Sequence, residues 1–256
     1  IEKRFIFLHS RKTSGSAISV ALAKQMNASD ILLGCWADAI KLGVPLNRQA
    51  MLALESRWFE KYFFYCSNFL KNGQFIIYPN QINLMIKRYF SKHTSLKGAA
   101  HSTAGTIKEF VGNEFWEKSF KFTVVRNPWE HAVSDFYWRQ CPQKGIDFKS
   151  FLQICMNTNE ADPMSVRPPI ISNWPIYTIN EKVVCDFICR YENLQDDLKK
   201  VEDAIGLDII KNLTPVKVSQ KNKSTSIASF YDQENNGMIE KIYSREIEEF
   251  DYSCPF

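Results

Sequence analysis

Four short apolar runs alternate with longer segments of helical periodicity along the chain. The runs lie at residues 4–8 (RFIFL), 74–78 (QFIIY), 121–125 (KFTVV) and 183–188 (VVCDFI). Continuous apolar runs of this length are typical of strands buried on both faces of a parallel sheet. We therefore predict an α/β fold in which a central parallel sheet is flanked by helices.

Helical periodicity is clearest in residues 192–206 (ENLQDDLKKVEDAIG), where Gly206 stands at the position of a C-terminal cap. The apolar residues of this segment recur at spacings of four, three and four, at Leu194, Leu198, Val201 and Ile205. Residues 16–26 (SAISVALAKQM) and the aromatic-rich residues 47–70 are also predicted helices. Neither a repeat nor a low-complexity linker interrupts the chain, so we expect one domain over residues 1–256.

The composition is that of a globular protein with a mild excess of positive charge. Of the 256 residues, 45% are hydrophobic, and 32 Lys and Arg stand against 28 Asp and Glu, a formal net charge of +4. This excess is compatible with an anionic ligand but is far weaker than the basic patch of a nucleic-acid-binding protein. No apolar run approaches the roughly 20 residues of a transmembrane helix. We expect no nucleic-acid partner and no membrane segment.

The cysteines argue against a metal centre and against a disulfide framework. They are odd in number and include no CxxC pair with histidine partners. Reduced thiols in the cytoplasm are therefore the expectation. The seven positions are Cys35, Cys66, Cys141, Cys155, Cys185, Cys189 and Cys254.

Residues 5–18 (FIFLHSRKTSGSAI) pass from a predicted strand into a predicted helix through a polar turn. Backbone N–H groups and hydroxyls of residues 13–16 would face an anion there, and the N-terminus of the helix adds its positive end. Gly15 permits a tight turn, and Lys12 supplies a full charge. The Walker A pattern, with its lysine after the last glycine, is absent. The alternative is an ordinary turn capped by serine, with Lys12 in solvent.

Residues 120–138 (FKFTVVRNPWEHAVSDFYW) repeat the passage from strand to helix. Asn127 is a predicted N-cap, Pro128 suits the first helical position, and Glu130 could close a capping box. Arg126 then lies at the strand tip and Ser134 on the adjoining helix face. A guanidinium fork and a hydroxyl together suit phosphate oxygens. The alternative is that Arg126 pairs with a carboxylate and Ser134 faces solvent.

Taken together, these segments resemble those of sulfotransferases that use 3′-phosphoadenosine 5′-phosphosulfate (PAPS), closest to the carbohydrate and heparan-type branch and its bacterial homologues. HSRKTSGSAI (9–18) is similar to the HIPKTGGTSI-type loop that holds the 5′-phosphosulfate. VVRNPWEHAVSDFYW (124–138) resembles the VRNPWDRAVSxYY segment, whose Arg and Ser bind the 3′-phosphate. CRYENLQDDLKKVEDAIGL (189–207) resembles RFENLxxDLxxVxxxLGL, and KNKS (221–224) resembles a late NKS loop.

The resemblance implies a P-loop-like sulfotransferase fold, PAPS as the cofactor and no metal. Its motifs are spread in order over nearly the whole chain. The donor-binding residues that it implies are Arg11, Lys12, Thr13, Ser14, Gly15, Ser16, Ala17, Arg126, Ser134, Lys221, Asn222, Lys223 and Ser224.

The chain departs from the family pattern at a few positions. Arg11 stands where the loop usually has proline, and Ser16 and Ala17 stand for Thr and Ser. We expect Arg11 to add charge near the phosphosulfate or to point to solvent, and Ser16 to keep a hydroxyl in the loop. His131 replaces an arginine, and we expect it on the helix surface.

The resemblance also assigns the chemistry of transfer. Lys12 would stabilise the leaving bridge oxygen, and a base would activate the acceptor. His101, between the second and third predicted strands, resembles the family's catalytic base; a capping or solvated histidine is the alternative. His9 matches a strand histidine with a structural role, and His93 lies in a polar stretch that is typical of the surface.

The acceptor is the least determined part of the site. Residues 30–70 resemble the family least, so we expect them to form a helical acceptor-side segment. Trp36, Trp58 and Phe59 are candidate contacts there, with a core role as the alternative. We expect a hydroxyl acceptor, less so an amine, on a small metabolite or natural product, with a glycan second.

Other functions and locations stay open at this point. A kinase-like phosphotransferase and a catalytically inactive nucleotide-binding module of the same fold are the rival functions. Retention of Lys12, Arg126, Ser134 and a candidate base argues against the inactive module. We expect a cytoplasmic protein, with a trimmed form of a Golgi-lumenal or secreted protein as the alternative, because the chain opens on Ile.

Overall fold

A computed structural model of the chain describes residues 4–93, 96, 99–214 and 226–256. The described fold is mixed α/β, with a three-stranded parallel sheet in the order β1-β2-β5 and a small antiparallel pair, β3-β4. The strands are β1 (Phe5–Leu8), β2 (Phe120–Val125), β3 (Thr178–Ile179), β4 (Lys182–Val183) and β5 (Phe187–Arg190).

Helices cover both faces of the sheet. In the described part of the chain they are α1 (Gly15–Ala23), α2 (Trp36–Lys41), α3 (Arg48–Glu55), α4 (Trp58–Asn72), α5 (Pro79–His93), α6 (Ala104–Val111), α7 (Asn113–Lys118), α8 (Pro128–Trp138), α9 (Phe148–Met156), α10 (Trp174–Tyr177), α11 (Leu194–Ile205), α12 (Gln233–Ile242) and α13 (Ser244–Phe250). Short 3₁₀ turns lie at Ala99–His101, Pro142–Lys144, Tyr191–Asn193, Ile210–Asn212 and Ile227–Phe230.

The alternating side chains of the sheet pack into two separate apolar cores. Phe122 and Val124 of β2 lie on one face, against α1 and α11. Ile6 and Leu8 of β1 lie on the other face, in the larger core to which α2, α3, α5, α6 and α7 contribute. A third core joins α8, α9 and α12 around Trp129. Because both faces are covered, continuous apolar strands are what the sheet requires.

The predicted strand at residues 74–78 is wrong. This segment follows α4, which ends at Gly73 with a left-handed φ of 69°. Side chains of the neighbouring helices satisfy its backbone in place of a strand: Asn68 Nδ2 donates to Ile76 O at 2.7 Å, and Tyr78 N donates to Gln81 Oε1 at 2.9 Å. Residues 74–78 have high β propensity, but no described strand pairs with them. They therefore form a connection between α4 and α5 and not a strand.

The predicted strand at residues 183–188 is only partly right. Val184 N donates to Tyr177 O at 3.0 Å, which continues the β3-β4 pairing. Asp186 then pairs with the other sheet, because its carboxylate accepts from Lys121 N at 2.7 Å. The run therefore crosses from one sheet to the other, and its second half becomes β5.

The predicted helices form, with changes of boundary. The helix predicted over residues 16–26 is α1, which ends at Ala23. Residues 47–70 are two helices, because the chain leaves helical geometry at Arg57, where φ is −112° and ψ is 36°. Residues 192–206 begin as a 3₁₀ turn and continue as α11, which ends at Gly206 with a φ of 75°, as the cap prediction requires. The loops after β1 and β2 meet at the carboxyl edge of the sheet, where α/β folds bind ligands.

Candidate active site

The β1–α1 loop is a tight turn that two left-handed residues shape. Lys12 and Ser14 have φ values of 61° and 62°. A Cβ at Gly15 would lie 2.0 Å from His9 Cδ2, so only glycine fits beside that ring. Ser14 makes no side-chain hydrogen bond to the first turn of α1. The serine-capped alternative is therefore not what forms, and α1 starts as an anion-binding helix N-terminus does.

Hydroxyls inside the loop hold its shape. Thr13 is fully buried, and its Oγ1 donates to Ser10 O at 3.1 Å. Ser10 Oγ lies 2.9 Å from Thr123 Oγ1 of β2, and Thr123 in turn donates to Leu8 O. These bonds tie the turn to the central strand. Thr13 would therefore face an anion through its backbone, since its hydroxyl is already engaged.

Lys12 is not a solvated lysine. Its Nζ lies 4.6 Å from the centre of the Trp138 ring, and the side chain is partly buried. Burial lowers the pKa of Lys12 from 10.5 to about 8; nearby Asp135 acts in the opposite direction, and Arg126, Arg11 and Arg139 lower it further. A concentration of cations of this kind favours an anionic ligand, whose charge would restore the ammonium form.

The side chain of Arg11 does not point to solvent, so that alternative is wrong. Arg11 is 4% exposed, and its guanidinium donates to both carboxylate oxygens of Asp135 at 2.6 Å and to Ile170 O at 2.5 Å. Asn173 brackets the backbone of Arg11: its Oδ1 accepts from the amide at 2.9 Å and its Nδ2 donates to the carbonyl at 3.0 Å. The side chain anchors the loop to α8 and to the segment before α10.

The β2–α8 junction brings the second predicted motif to the first. Arg126 Nη1 donates to Lys12 O at 3.2 Å, and its guanidinium lies 4.1 Å from the centre of the Tyr191 ring. Nη2 donates to Glu130 Oε2 at 2.8 Å. Ser134 is partly exposed, two turns further along α8. The two motifs therefore share one site, although Arg126 also has the carboxylate partner that the alternative foresaw.

The start of α8 is capped differently from the prediction. Asn127 is the N-cap, as expected, and its Oδ1 accepts from Trp129 N at 3.1 Å. The capping box is wrong, because Glu130 pairs with Arg126. The amide of Asn127 donates to Glu192 Oε1 at 2.6 Å. Glu192 thus joins the segment before α11 to the start of α8.

His101 lies beside the loop, at the end of a 3₁₀ turn. Its Nδ1 donates to His9 O at 2.9 Å, and the two imidazole rings meet edge to face at 4.6 Å. A carbonyl can only accept, so the neutral ring carries its lone pair on Nε2. Thr103, and not His101, caps α6. The hydrogen bond to the carbonyl of His9, just after β1, fixes the orientation of the His101 ring. This geometry suits a base.

The other histidines differ in position. His9 is buried, stacks on Phe7 and lies 3.4 Å from Ser19 Oγ through its Nδ1, which fits a structural role. The surface prediction for His131 is wrong: it is 2% exposed and its Nδ1 lies 3.2 Å from Tyr243 Oη. Burial lowers the pKa of His131 to about 3, so it stays neutral inside the protein.

Several predicted residues fall elsewhere. Lys221, Asn222, Lys223 and Ser224 lie outside the described residues. Trp36 is 1% exposed and belongs to the core, whereas Trp58 and Phe59 are largely exposed. The described part of the chain contains no group of three or more His, Cys, Asp or Glu that could hold a metal ion.

A cavity of about 1170 Å³ runs along the outer edge of β1. Phe7, Ile107 and Phe110 contribute to its apolar wall, and His9 and Ser102 also line it. The cavity therefore reaches His9, whose carbonyl accepts from His101, and Ser102, the residue after His101.

The sequence reading missed Asp135 and Asn173, which hold the loop through Arg11. Asp135 is 1% exposed and lies between the buried Val133 and Phe136. A carboxylate within an apolar stripe signals a buried partner. The sequence therefore indicates that Asp135 has a buried partner, but it does not indicate that this partner is Arg11.

Comparison with known proteins identifies the family of the chain. The profile of the Sulfotransferase family matches residues 56–253, which include Arg126, Ser134 and His101 but not the β1–α1 loop. An uncharacterized protein of Archaeoglobus fulgidus is 33% identical over 107 residues, which cover 41% of this chain and 82% of that protein. No solved structure matches the chain. Among the described residues, no helix is long and apolar enough to cross a membrane. By the extent of the family match, the chain belongs to the sulfotransferase family.

Proposed function

We propose that this sulfotransferase takes its sulfuryl group from PAPS and delivers it to a hydroxyl, with an amine as the less favoured acceptor. The observation that carries the proposal is the meeting of Lys12, Arg126 and His101 at the carboxyl edge of the sheet. Arg126 contacts the carbonyl of Lys12, and His101 contacts the carbonyl of His9. Residues from three separate segments thus converge on one loop.

The residues of this loop fit the charges of such a donor. The uncapped start of α1 and Lys12 suit a 5′-phosphosulfate, with Gly15 and the backbone of residues 13–17 closest to it. Arg126 and Ser134 suit a 3′-phosphate, with Tyr191 behind the guanidinium. Residues 221–224 would cover the nucleotide. The side chain of Arg11 would act only by anchoring the loop, since Asp135 neutralises it.

His101 would act on the acceptor. PAPS supplies the sulfuryl group and leaves as 3′-phosphoadenosine 5′-phosphate. Nε2 of His101 would take the proton of the acceptor hydroxyl, while the bond from Nδ1 to His9 O holds the ring. Lys12 would stabilise the negative charge that develops on the bridging oxygen.

The cavity beside β1 is our candidate for the acceptor space. Its mostly apolar wall and its contact with His9 and Ser102 suit a small metabolite or natural product better than a highly charged glycan. The glycan remains the second candidate. We propose a cytoplasmic location, which the reduced state of the buried cysteines would permit.

A thermal-shift experiment tests the donor. 3′-Phosphoadenosine 5′-phosphate should stabilise the protein, by about 2.7 kcal/mol at a hundred times its Kd. Adenosine 5′-phosphate, which lacks the 3′-phosphate, should stabilise it less, and Arg126→Ala should remove the difference between the two nucleotides. Equal or stronger stabilisation by ATP with magnesium would instead favour a phosphotransferase. An assay for transfer of the sulfuryl group from PAPS to a panel of acceptors then separates an active enzyme from an inactive module.

A further inference from the structure

Helix α4 turns an apolar surface outward. Seven residues on one side of it form what we call the aromatic face: Trp58, Phe59, Tyr62, Phe63, Cys66, Phe69 and Leu70. At 3.6 residues per turn these positions fill one continuous arc of about 140°. Trp58 is 70% exposed, Phe59 69% and Leu70 84%. Exposed apolar patches of this extent mark an interaction surface.

The orientation of α4 is fixed, so the aromatic face cannot turn inward. Asn68, on the opposite side of the helix, is 4% exposed. Its Nδ2 donates to Ile76 O at 2.7 Å and to Gln81 Oε1 at 2.8 Å. Phe75 extends the aromatic face, because its ring stacks on Phe69 at 4.1 Å and is itself 63% exposed.

The segment of the chain that carries the aromatic face is strongly basic. Residues 48–93 contain seven Lys and Arg but only two acidic residues, Glu55 and Glu60, a formal charge of +5. The whole chain carries only +4, so the rest of it is close to neutral. On the helix, Lys61 lies about 60° beyond one border of the aromatic face and Lys71 about 80° beyond the other, so both are nearer to the side of Asn68 than to the centre of the face. Lys71 is exposed.

We propose that the aromatic face docks on the surface of an anionic lipid bilayer, with α4 lying in the plane of the interface. Trp, Tyr and Phe side chains would enter the boundary between headgroups and acyl chains, and the positive charge of residues 48–93 would attract the protein to anionic headgroups. Charge argues for lipid over a second copy of the chain. Pairing of two aromatic faces would bring two regions of charge +5 together, which is unfavourable. This inference does not depend on the transfer reaction.

Vesicle sedimentation tests the inference. The wild-type protein should sediment with vesicles of phosphatidylcholine and phosphatidylglycerol and much less with phosphatidylcholine alone, and added salt should weaken the binding. The triple variant Phe59→Ser, Phe63→Ser, Leu70→Ser should lose it. The matched control is Met156→Ser, Met164→Ser, Phe256→Ser, which removes three exposed apolar side chains elsewhere and should bind as the wild type does.

A charge variant separates the two contributions. Lys61→Gln with Lys71→Gln should weaken binding to anionic vesicles roughly 30-fold, at about 1 kcal/mol for each lysine. All variants should keep the wild-type Tm, since the altered side chains are at least partly exposed. Failure of the wild type to bind anionic vesicles at low salt would overturn the proposal. So would a wild-type dimer in light scattering that the apolar triple variant converts to a monomer, because a second copy would then cover the face.

Discussion

The region around the loops after β1 and β2 differs from helix α4 in which side chains it buries and which it exposes. In the loops, charged groups are buried and paired, as with Arg11 and Asp135, whose side chains are 5% and 1% exposed. On α4, rings are exposed, and the buried side chain is the amide of Asn68. The first arrangement holds the β1–α1 loop in place, which under our proposal keeps backbone amides and cations around a small anion. The second leaves apolar area for a partner. The difference predicts that mutations in the two regions will fail in different assays.

The largest effect is expected at His101, where chemistry and folding can be separated. His101→Ala should lower kcat about 10²–10⁴-fold, the usual contribution of a general base. Binding of 3′-phosphoadenosine 5′-phosphate should be nearly unchanged, because the phosphate contacts come from the loops. Steady-state kinetics and a thermal shift with the nucleotide measure both. Wild-type turnover in the variant would remove His101 from the mechanism.

A second prediction concerns the buried ion pair that anchors the β1–α1 loop. Asp135→Ala leaves the Arg11 guanidinium buried without its carboxylate, which should lower the free energy of unfolding by about 3–5 kcal/mol. Denaturant unfolding measures this loss. Asp203→Ala is the control, since its side chain is 72% exposed and its ion pair with Lys199 should contribute less than about 1 kcal/mol.

The double variant Arg11→Met, Asp135→Ala sharpens this test. Removing both charges should be less damaging than the sum of the two single variants, because no unpaired charge remains buried. Strict additivity would mean that the two side chains do not interact in the folded protein.

The third prediction contrasts two tryptophans for which the sequence offered the same pair of roles. Trp36 is fully enclosed, and its Nε1 donates to Leu32 O at 3.0 Å, so Trp36→Ala should cost about 3–5 kcal/mol of unfolding free energy. Trp58→Ala, on the aromatic face, should change stability by less than about 0.5 kcal/mol. Similar losses at both positions would mean that α4 is covered within the folded chain.

The two regions also differ in how far the sequence predicts them. Each candidate phosphate loop is a strand, a turn and a helix start within about fifteen residues, so its shape follows from local rules for glycine, capping and apolar runs. The partner of Arg11 is 124 positions away, and no local rule supplies it. His131 was expected on the surface because it is polar, yet it is buried against Tyr243, which lies between α12 and α13.

Residues 74–78 show most plainly where prediction from local sequence rules fails. Their composition matches that of the three runs that form β-structure, and only a ladder partner would make them a strand. Asn68 and Gln81 take the hydrogen bonds of their backbone. Asn68, on the inner side of α4, thus contacts this segment and also marks the side of the helix that faces away from the aromatic face.

The smallest expected effect is a pH dependence of nucleotide binding that Lys12 controls. Burial lowers the pKa of Lys12 to about 8, so the unliganded protein holds its charged form below that pH and loses it above. An anionic nucleotide binds the charged form. Its affinity should therefore be constant from neutral pH to about 8 and then fall, by up to about tenfold per pH unit. Titration calorimetry with 3′-phosphoadenosine 5′-phosphate measures the profile. Lys12→Arg is the control, because a guanidinium keeps its charge throughout this range. A flat profile in the wild type, or the same decline in Lys12→Arg, would assign the pH dependence to another group and leave Lys12 outside the phosphate contacts.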